Sequence, residues 1–303
     1  MTETTLLRMD EAVDLGHAWV QTIAEERGIR TLIIKGPALH RHGLRNKRYS
    51  GDIDVLVEPA RFVEFCDAMR ATGWRDRDTI LISERTTLHS KNFLRDGWPC
   101  DLDVHSFFPG FLADPTTVFD ALWERHVTMP FAHRDCAVPD RVSGVLILAL
   151  HSLRGSVTQA RHANELEQLV HVPLTAEEKS DAAALALATG SAATLETVLP
   201  RMGVEVQAPA AELESRELRE WRERVASGSH GAYFWFVAFR RASWRDRPMI
   251  VWQAFWPSRH DLLIARPETV DTLRGRTRAR VARWGRGIRS LPSALRAILT
   301  HLR

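Results

Sequence analysis

The sequence predicts an α+β protein, with a mixed sheet flanked by helices followed by an all-helical C-terminal domain. Two observations lead there. Up to residue 139, short β-branched runs such as Leu32-Ile33-Ile34 and Val55-Leu56-Val57 alternate with segments whose apolar residues recur at helical spacing. From Arg141 the helical period runs almost unbroken, punctuated by Pro173, Gly190, Pro200 and Pro209. The boundary therefore falls between a first domain, 1–139, and a helical domain, 140–303, that ends in a basic helix.

In chain order, Ala12, Val13, Leu15, Trp19, Val20, Ile23 and Ala24 mark a helix over 10–27, with Gly28 as its stop. Residues 30–35 read as a short buried strand, and Gly36-Pro37 opens a brief helix. A strand carrying Asp52 and Asp54 follows, then a helix begun by Pro59 and ended by Gly73. Residues 87–94 and 99–107 flank Arg95-Asp96-Gly97, and Asp-Gly between alternating runs signals a hairpin. The aromatic run 230–256, at helical spacing, is expected to pack in a core.

Bulk properties limit the function classes. A chain of 303 residues that is 45% hydrophobic and 26% charged has the composition of a soluble globular protein. No apolar run reaches the ~18 residues of a membrane span. The acidic N-terminus predicts no secretion signal. Cys66, Cys100 and Cys136 form neither a disulfide framework nor a zinc motif, so a reduced, cytoplasmic protein is expected. The net charge of +3 hides an asymmetry. Residues 271–303 hold nine Arg against one Asp, whereas 1–270 is net −5.

The chemistry concentrates in "SGDIDVLV". In a strand, Asp52 and Asp54 share one face while Ile53, Val55 and Val57 share the other. Two carboxylates side by side repel, so neutralising either is expected to stabilise the metal-free fold. A second pattern follows at hairpin distance, where Asp101, Asp103 and His105 share a face. Carboxylates on neighbouring strands suit Mg²⁺, which takes hard oxygen ligands and leaves places for phosphates. Two such ions can clamp the attacking and leaving oxygens of a phosphoryl transfer.

The stretch "IIKGPALHRHGLRNKRYSGDIDVLVEP" resembles the signature of the uncharacterised nucleotidyltransferase-like family, a branch of the polymerase-β-type superfamily. Lys35-Gly36, Arg48, Asp52 and Asp54 fall on its first motif, and Asp103-Val104-His105 on a later one. "LALHSLRG" and "FWPSRHDLL" resemble its helical half. Where the wider superfamily carries Gly-Ser before its Asp pair, this chain has Lys35-Gly36-Pro37.

The resemblance implies a nucleotidyltransferase-type sheet with Asp52, Asp54 and Asp103 as metal ligands and catalytic residues. It prefers Asp103 to Asp101 as the third carboxylate. Lys35, Gly36 and Arg48 would bind the nucleotide. The cofactors implied are two Mg²⁺, with Mn²⁺ as substitute, and an NTP as co-substrate. The reaction implied is transfer of a nucleotidyl or phosphoryl group to a hydroxyl of a small molecule or peptide. The alternatives are an RNA acceptor and a non-catalytic nucleotide-binding module.

His105 and Lys91 are further candidates for substrate contact. His40, His42 and His89 have no zinc spacing and are expected to make hydrogen bonds or lie at the surface. His151 reads as a core histidine. In the tail, Arg276, Arg280, Arg283, Arg286 and Arg289 recur at spacings of three and four, giving one basic helix face that would weakly bind an anionic partner, RNA, an acidic peptide or a membrane surface. Val281, Trp284 and Ile288 would form the docking face.

Overall fold

Helix α1 (Met9–Arg27) ends where Gly28 takes a left-handed conformation, φ +62°. Strand β1 (Thr31–Ile33) leads into α2 (Gly36–Arg41), then β2 (Asp52–Val57) and α3 (Phe62–Ala71). The chain continues through β3 (Arg75–Asp76), α4 (Leu81–Thr86), β4 (Ser90–Leu94), β5 (Asp101–His105) and α5 (Pro115–Trp123). A separate hairpin, β6 (Val127–Phe131) and β7 (Arg134–Val138), closes this half. The rest is helical: α6 (Arg141–Ser156), α7 (Ala160–Val170), α8 (Ala176–Ala188), α9 (Ala210–Leu213) and α10 (Arg216–Ala226), then α11 (Gly231–Arg241), α12 (Arg247–Phe255), α13 (Arg259–Ala265) and α14 (Leu273–His301).

This computed structural model describes residues 7–48, 50–86, 89–157, 159–227 and 231–301. Tyr49, Thr87, Leu88 and Arg303, which belong to the predicted motif, hairpin and tail, lie outside the described residues. No helix among the described residues is long and apolar enough to cross a membrane. The chain forms two compact units, Met1–Arg77 with His89–Trp221, and Asp78–Leu88 with Arg222–Arg303.

In the first unit the five-stranded sheet has the order β1-β2-β5-β4-β3. Strands β2 and β5 are parallel and the other neighbours antiparallel. The register sets Asp52 opposite Asp101 and Asp54 opposite Asp103. Residues directly opposite one another share a face. All four carboxylates therefore lie on one side of the sheet. Ile53, Val55, Val57, Leu102, Val104 and Phe93 lie on the other, buried against Val13, Val20 and Ile23 of α1 and Phe65 and Met69 of α3. A strand slipped by one residue would bury the acids and expose this core, so apolar packing enforces the site's register.

The second unit has a smaller core of Ile82, Ala238 and Ile250, joined by Phe234, Trp235 and Phe239. The aromatic run is thus divided. Its first half packs as expected, but Trp244, Trp252, Phe255 and Trp256 are exposed. A core this small has no further face to cover them. The tail also differs from expectation. Trp284 docks, its Nε1–H donating to the Phe255 carbonyl at 2.7 Å. Beside it, however, Arg280 and Arg283 donate to the Pro257 and Ala254 carbonyls at 3.3 and 3.2 Å, while Val281 and Ile288 are exposed. Carbonyls freed at the end of α12 attract guanidinium donors, so arginines take part in docking and two of the apolar residues do not.

Candidate active site

The turn after β1 sets the site's geometry. Lys35 adopts φ +66°, a conformation uncommon for a residue with a Cβ. Its ammonium lies 2.5 Å from Oδ1 of Asp54, with both side chains nearly buried. Gly36 follows at φ +53°, and beneath it lies the fully buried ring of His17. His105, on β5, holds its Nε2 3.1 Å from both Asp54 Oδ1 and Asp103 Oδ2. Its ring stacks beside that of His89.

The two acids of β2 are not equivalent. Burial pushes the Asp54 carboxyl up, but Lys35 and then His105 outweigh it and hold the group below the usual carboxylate range. Burial, and then the charge of Asp54, push Asp52 up; Lys35 and the Ser50 hydroxyl relieve this only in part. His105 is raised: burial opposes its charging, while Asp103 and Asp54 favour it by more. The expectation of an uncompensated pair is corrected here, because Asp54 already has cationic partners and Asp52 carries the unrelieved repulsion.

These residues fit a divalent ion. Asp54, Asp103 and His105 each offer a ligand atom, all within 4.8 Å of one another. Oδ1 of Asp103 is buried without a hydrogen-bond partner among the described residues, and Lys35 and His105 supply the positive charge that a metal would bring. Asp52 falls outside this set, its Oδ1 accepting from the Ser50 hydroxyl at 3.2 Å. Asp101 is ion-paired with Arg77. Lys91 is placed away from the acids. It pairs in register with Val104, on the face that α3 covers, and its charge is felt by Cys66 and Asp76. Asn92, opposite Asp103, occupies the position nearest the role proposed for Lys91.

Asp52, Asp54 and Asp101 form the acidic wall of a cleft of about 310 Å³. Arg45, Arg48 and Arg161 form the basic wall, with the His151 ring beside them, while Lys35 lies against Asp54. Glu165 of α7 organises that wall, lying 3.4 Å from the Arg45 guanidinium and 3.2 Å from that of Arg48. Arg45 also donates to the Gly36 carbonyl at 2.6 Å, tying the loop to the turn. Helices α6 and α7 approach closely at Gly155, where a Cβ would meet the His162 ring at 2.7 Å. This brings the rings of His151 and His162 to 4.8 Å.

His151, His162 and Glu165 also have metal-ligand spacing. Glu165 is engaged by two arginines, however, and Arg161 reaches His162 at 3.4 Å, so the surroundings suit an anion. Burial, more than any neighbouring charge, lowers both rings from the usual histidine value. His151 is largely buried yet lines the cleft, where a core position was expected. His40 and His42 meet the Arg45 and Pro139 carbonyls, as hydrogen-bonding histidines should.

Sequence reasoning missed Arg45, Arg161, Glu165, His17 and Arg154. Arg154 is half-buried, within electrostatic reach of Asp103 and Asp54, and has no ion pair among the described residues. The signal available was "RHANELE", which sets His162 and Glu165 three residues apart on one helix face.

Two solved structures are similar to this chain at low identity. One is a lincosamide antibiotic adenylyltransferase, LnuA, bound to lincomycin, at 12% identity, covering 52% of this chain and 95% of that one, TM-score 0.35. The other is an antigenic nucleotidyltransferase-like protein from Paracoccidioides brasiliensis, at 11% identity, covering 69% of this chain and 99% of that one, TM-score 0.38. No curated protein matches the sequence. A family model does match, over residues 20–199, a span that holds both walls of the cleft, and on that match the chain belongs to the uncharacterised nucleotidyltransferase family.

Proposed function

We propose that the protein is a divalent-metal-dependent enzyme that moves a nucleotidyl group from an NTP to a hydroxyl of a small-molecule or peptide acceptor. One observation carries this reading: an acidic wall faces arginines across one cleft, and in register with Asp54 stands Asp103, whose Oδ1 is buried with no hydrogen-bond partner among the described residues. A metal-bound polyphosphate satisfies both walls together.

Asp54 and Asp103, with Asp52 beside them, would hold Mg²⁺, or Mn²⁺ in its place. The ions supply Lewis acidity and neutralise the phosphates. Asp103 accepts the proton of the acceptor hydroxyl, whose oxygen then forms its bond to the α-phosphorus as the bond to the pyrophosphate oxygen breaks. His105 keeps the Asp103 carboxylate turned toward Asp54. Lys35, Arg48, Arg45 and Arg161 take up charge on the departing pyrophosphate, and Arg154 stands within reach of the same acids. The backbone at Gly36 permits close approach of the nucleotide. We assign catalysis to 1–139 and part of the phosphate grip to the helices after 140, in a reduced cytoplasm where three buried cysteines stay thiols.

Purified protein incubated with α- and γ-labelled NTPs and pooled hydroxyl acceptors tests the reading. Mg²⁺-dependent transfer of α-label supports it. Transfer of γ-label alone makes the enzyme a phosphoryl transferase, and metal-independent transfer contradicts it.

A further inference from the structure

From the exposed apolar face of α12 we infer that the second unit docks on an anionic lipid bilayer, with that face immersed among the headgroups and its arginines against the lipid phosphates. On a helical wheel at about 100° per residue, Val251, Phe255, Trp252, Trp256 and Met249 span an uninterrupted arc of roughly 160°. All five are exposed, Trp252 at 60% and Phe255 at 62%, while Ile250 on the opposite side is 3% exposed and sits in the core. Trp244, just before the helix, is also exposed, as are Val281 and Ile288 on α14. A folded chain rarely leaves five large apolar groups side by side on one helix face in water without a use.

Charge identifies the occupant. Asp78–Leu88 and Arg222–Arg303 together contain 18 basic residues, all arginine, and 7 acidic ones, a net of +11. The rest of the chain, with 23 basic and 31 acidic residues, is net −8. A second copy of this surface would be repelled by its own charge, whereas an anionic membrane attracts each surface arginine. Tryptophan beside arginine on an amphipathic helix suits the headgroup layer, where an aromatic body and a charged tip are both accommodated.

Single-stranded RNA suits the face less well. Base stacking needs open ring faces, but Trp252 and Trp256 stack on each other at 6.0 Å, and the Arg280 guanidinium lies 4.4 Å from the Trp256 ring centroid. Val251, Met249, Val281 and Ile288 gain nothing from a base and gain burial from lipid. Arg245 and Arg247, at the start of α12, are exposed and placed to meet phosphate.

The test is vesicle flotation with the full chain. Vesicles of phosphatidylcholine containing roughly one-third phosphatidylglycerol should carry the protein, and pure phosphatidylcholine should not. Trp252→Ser and Phe255→Ser should each weaken binding about tenfold, with circular dichroism unchanged because both side chains are exposed. Leu187→Ser, at an exposed apolar position of the first unit, should bind as wild type. Binding should weaken as salt rises. The inference is overturned if anionic vesicles fail to carry the protein, or if both serine variants bind as wild type. It is equally overturned if the face instead binds a single-stranded RNA oligonucleotide at physiological salt while vesicles are ignored, or if Trp252→Ser dissolves a dimer.

Discussion

On the acidic wall of the cleft, Asp52, Asp54 and Asp101 come from two adjacent parallel strands, and the alternation of the pleat brings them together. On the basic wall, Arg45 and the Glu165 that steadies it are 120 residues apart, one in a loop and the other on a helix. The first wall gathers like charges that call for a cation; the second gathers cations that call for an anion. Local period produces the first, and only tertiary packing produces the second. Neither wall alone specifies a ligand, but together they fit a metal-bound polyphosphate.

The contrast breaks most sharply at Asp103. Asp103→Ala and Asp54→Asn should each lower kcat/KM on the order of a thousandfold. Asp101→Ala should stay within a few-fold, because Arg77 already occupies Asp101. A dead Asp101 variant beside an active Asp103 variant would shift the register of the site by one pleat repeat.

Next in size is stability without metal. Asp54→Asn breaks a buried pair with Lys35 and His105 and should destabilise by roughly 3 kcal/mol. Asp52→Asn removes the group that burial and Asp54 push up, and should stabilise slightly. Urea unfolding of both variants in chelator checks the sign, which opposes the symmetric behaviour expected of two equivalent acids.

Behind the acidic wall, burial lowers His17 from its usual value to about 3, against the pull of Asp54. The unfolded chain therefore binds the proton first. Stability from this group is complete above pH 6.5 and falls by about 1.4 kcal/mol per unit as the pH drops toward 3. His17→Leu should flatten that acid limb by about one proton, measured by unfolding at pH 7 and pH 5. An unchanged slope would mean that His17 finds a partner for its proton.

The smallest effect belongs to the basic wall. Glu165→Gln frees Arg45 and Arg48 and should raise the KM for the NTP about tenfold, with kcat little changed. A fall in kcat instead would place Glu165 with the reacting groups.

What was legible in the sequence follows the same division. The alternation in β2, the Asp-Gly turn before β5 and the glycine stops fix elements through neighbours a few residues away, and they emerged as expected. The β6–β7 hairpin did not, because its turn places Ala132 and His133 at φ +44° and +63° without the Asn-Gly that signals such a turn. The face of Lys91 was open in the sequence because a hairpin predicted without its register does not fix which side each residue takes; the register puts it opposite Val104, on the α3 side. His151 looks like a core residue along its own helix, and only the approach of α7 at Gly155 turns its surroundings into part of a cleft. The docked arginines of α14 were unreadable because the carbonyls that hold them belong to Ala254, near the end of α12, and to Pro257, two residues beyond it.

Metal binding in the presence of a non-hydrolysable NTP analogue tests the central claim without knowing the acceptor. Mn²⁺ bound to the protein can be counted by electron paramagnetic resonance. Wild type and Asp101→Asn should bind Mn²⁺ with the nucleotide, and Asp54→Asn and Asp103→Asn should lose it. Undiminished Mn²⁺ in the Asp54 and Asp103 variants, or nucleotide that binds equally well in chelator, would contradict the account.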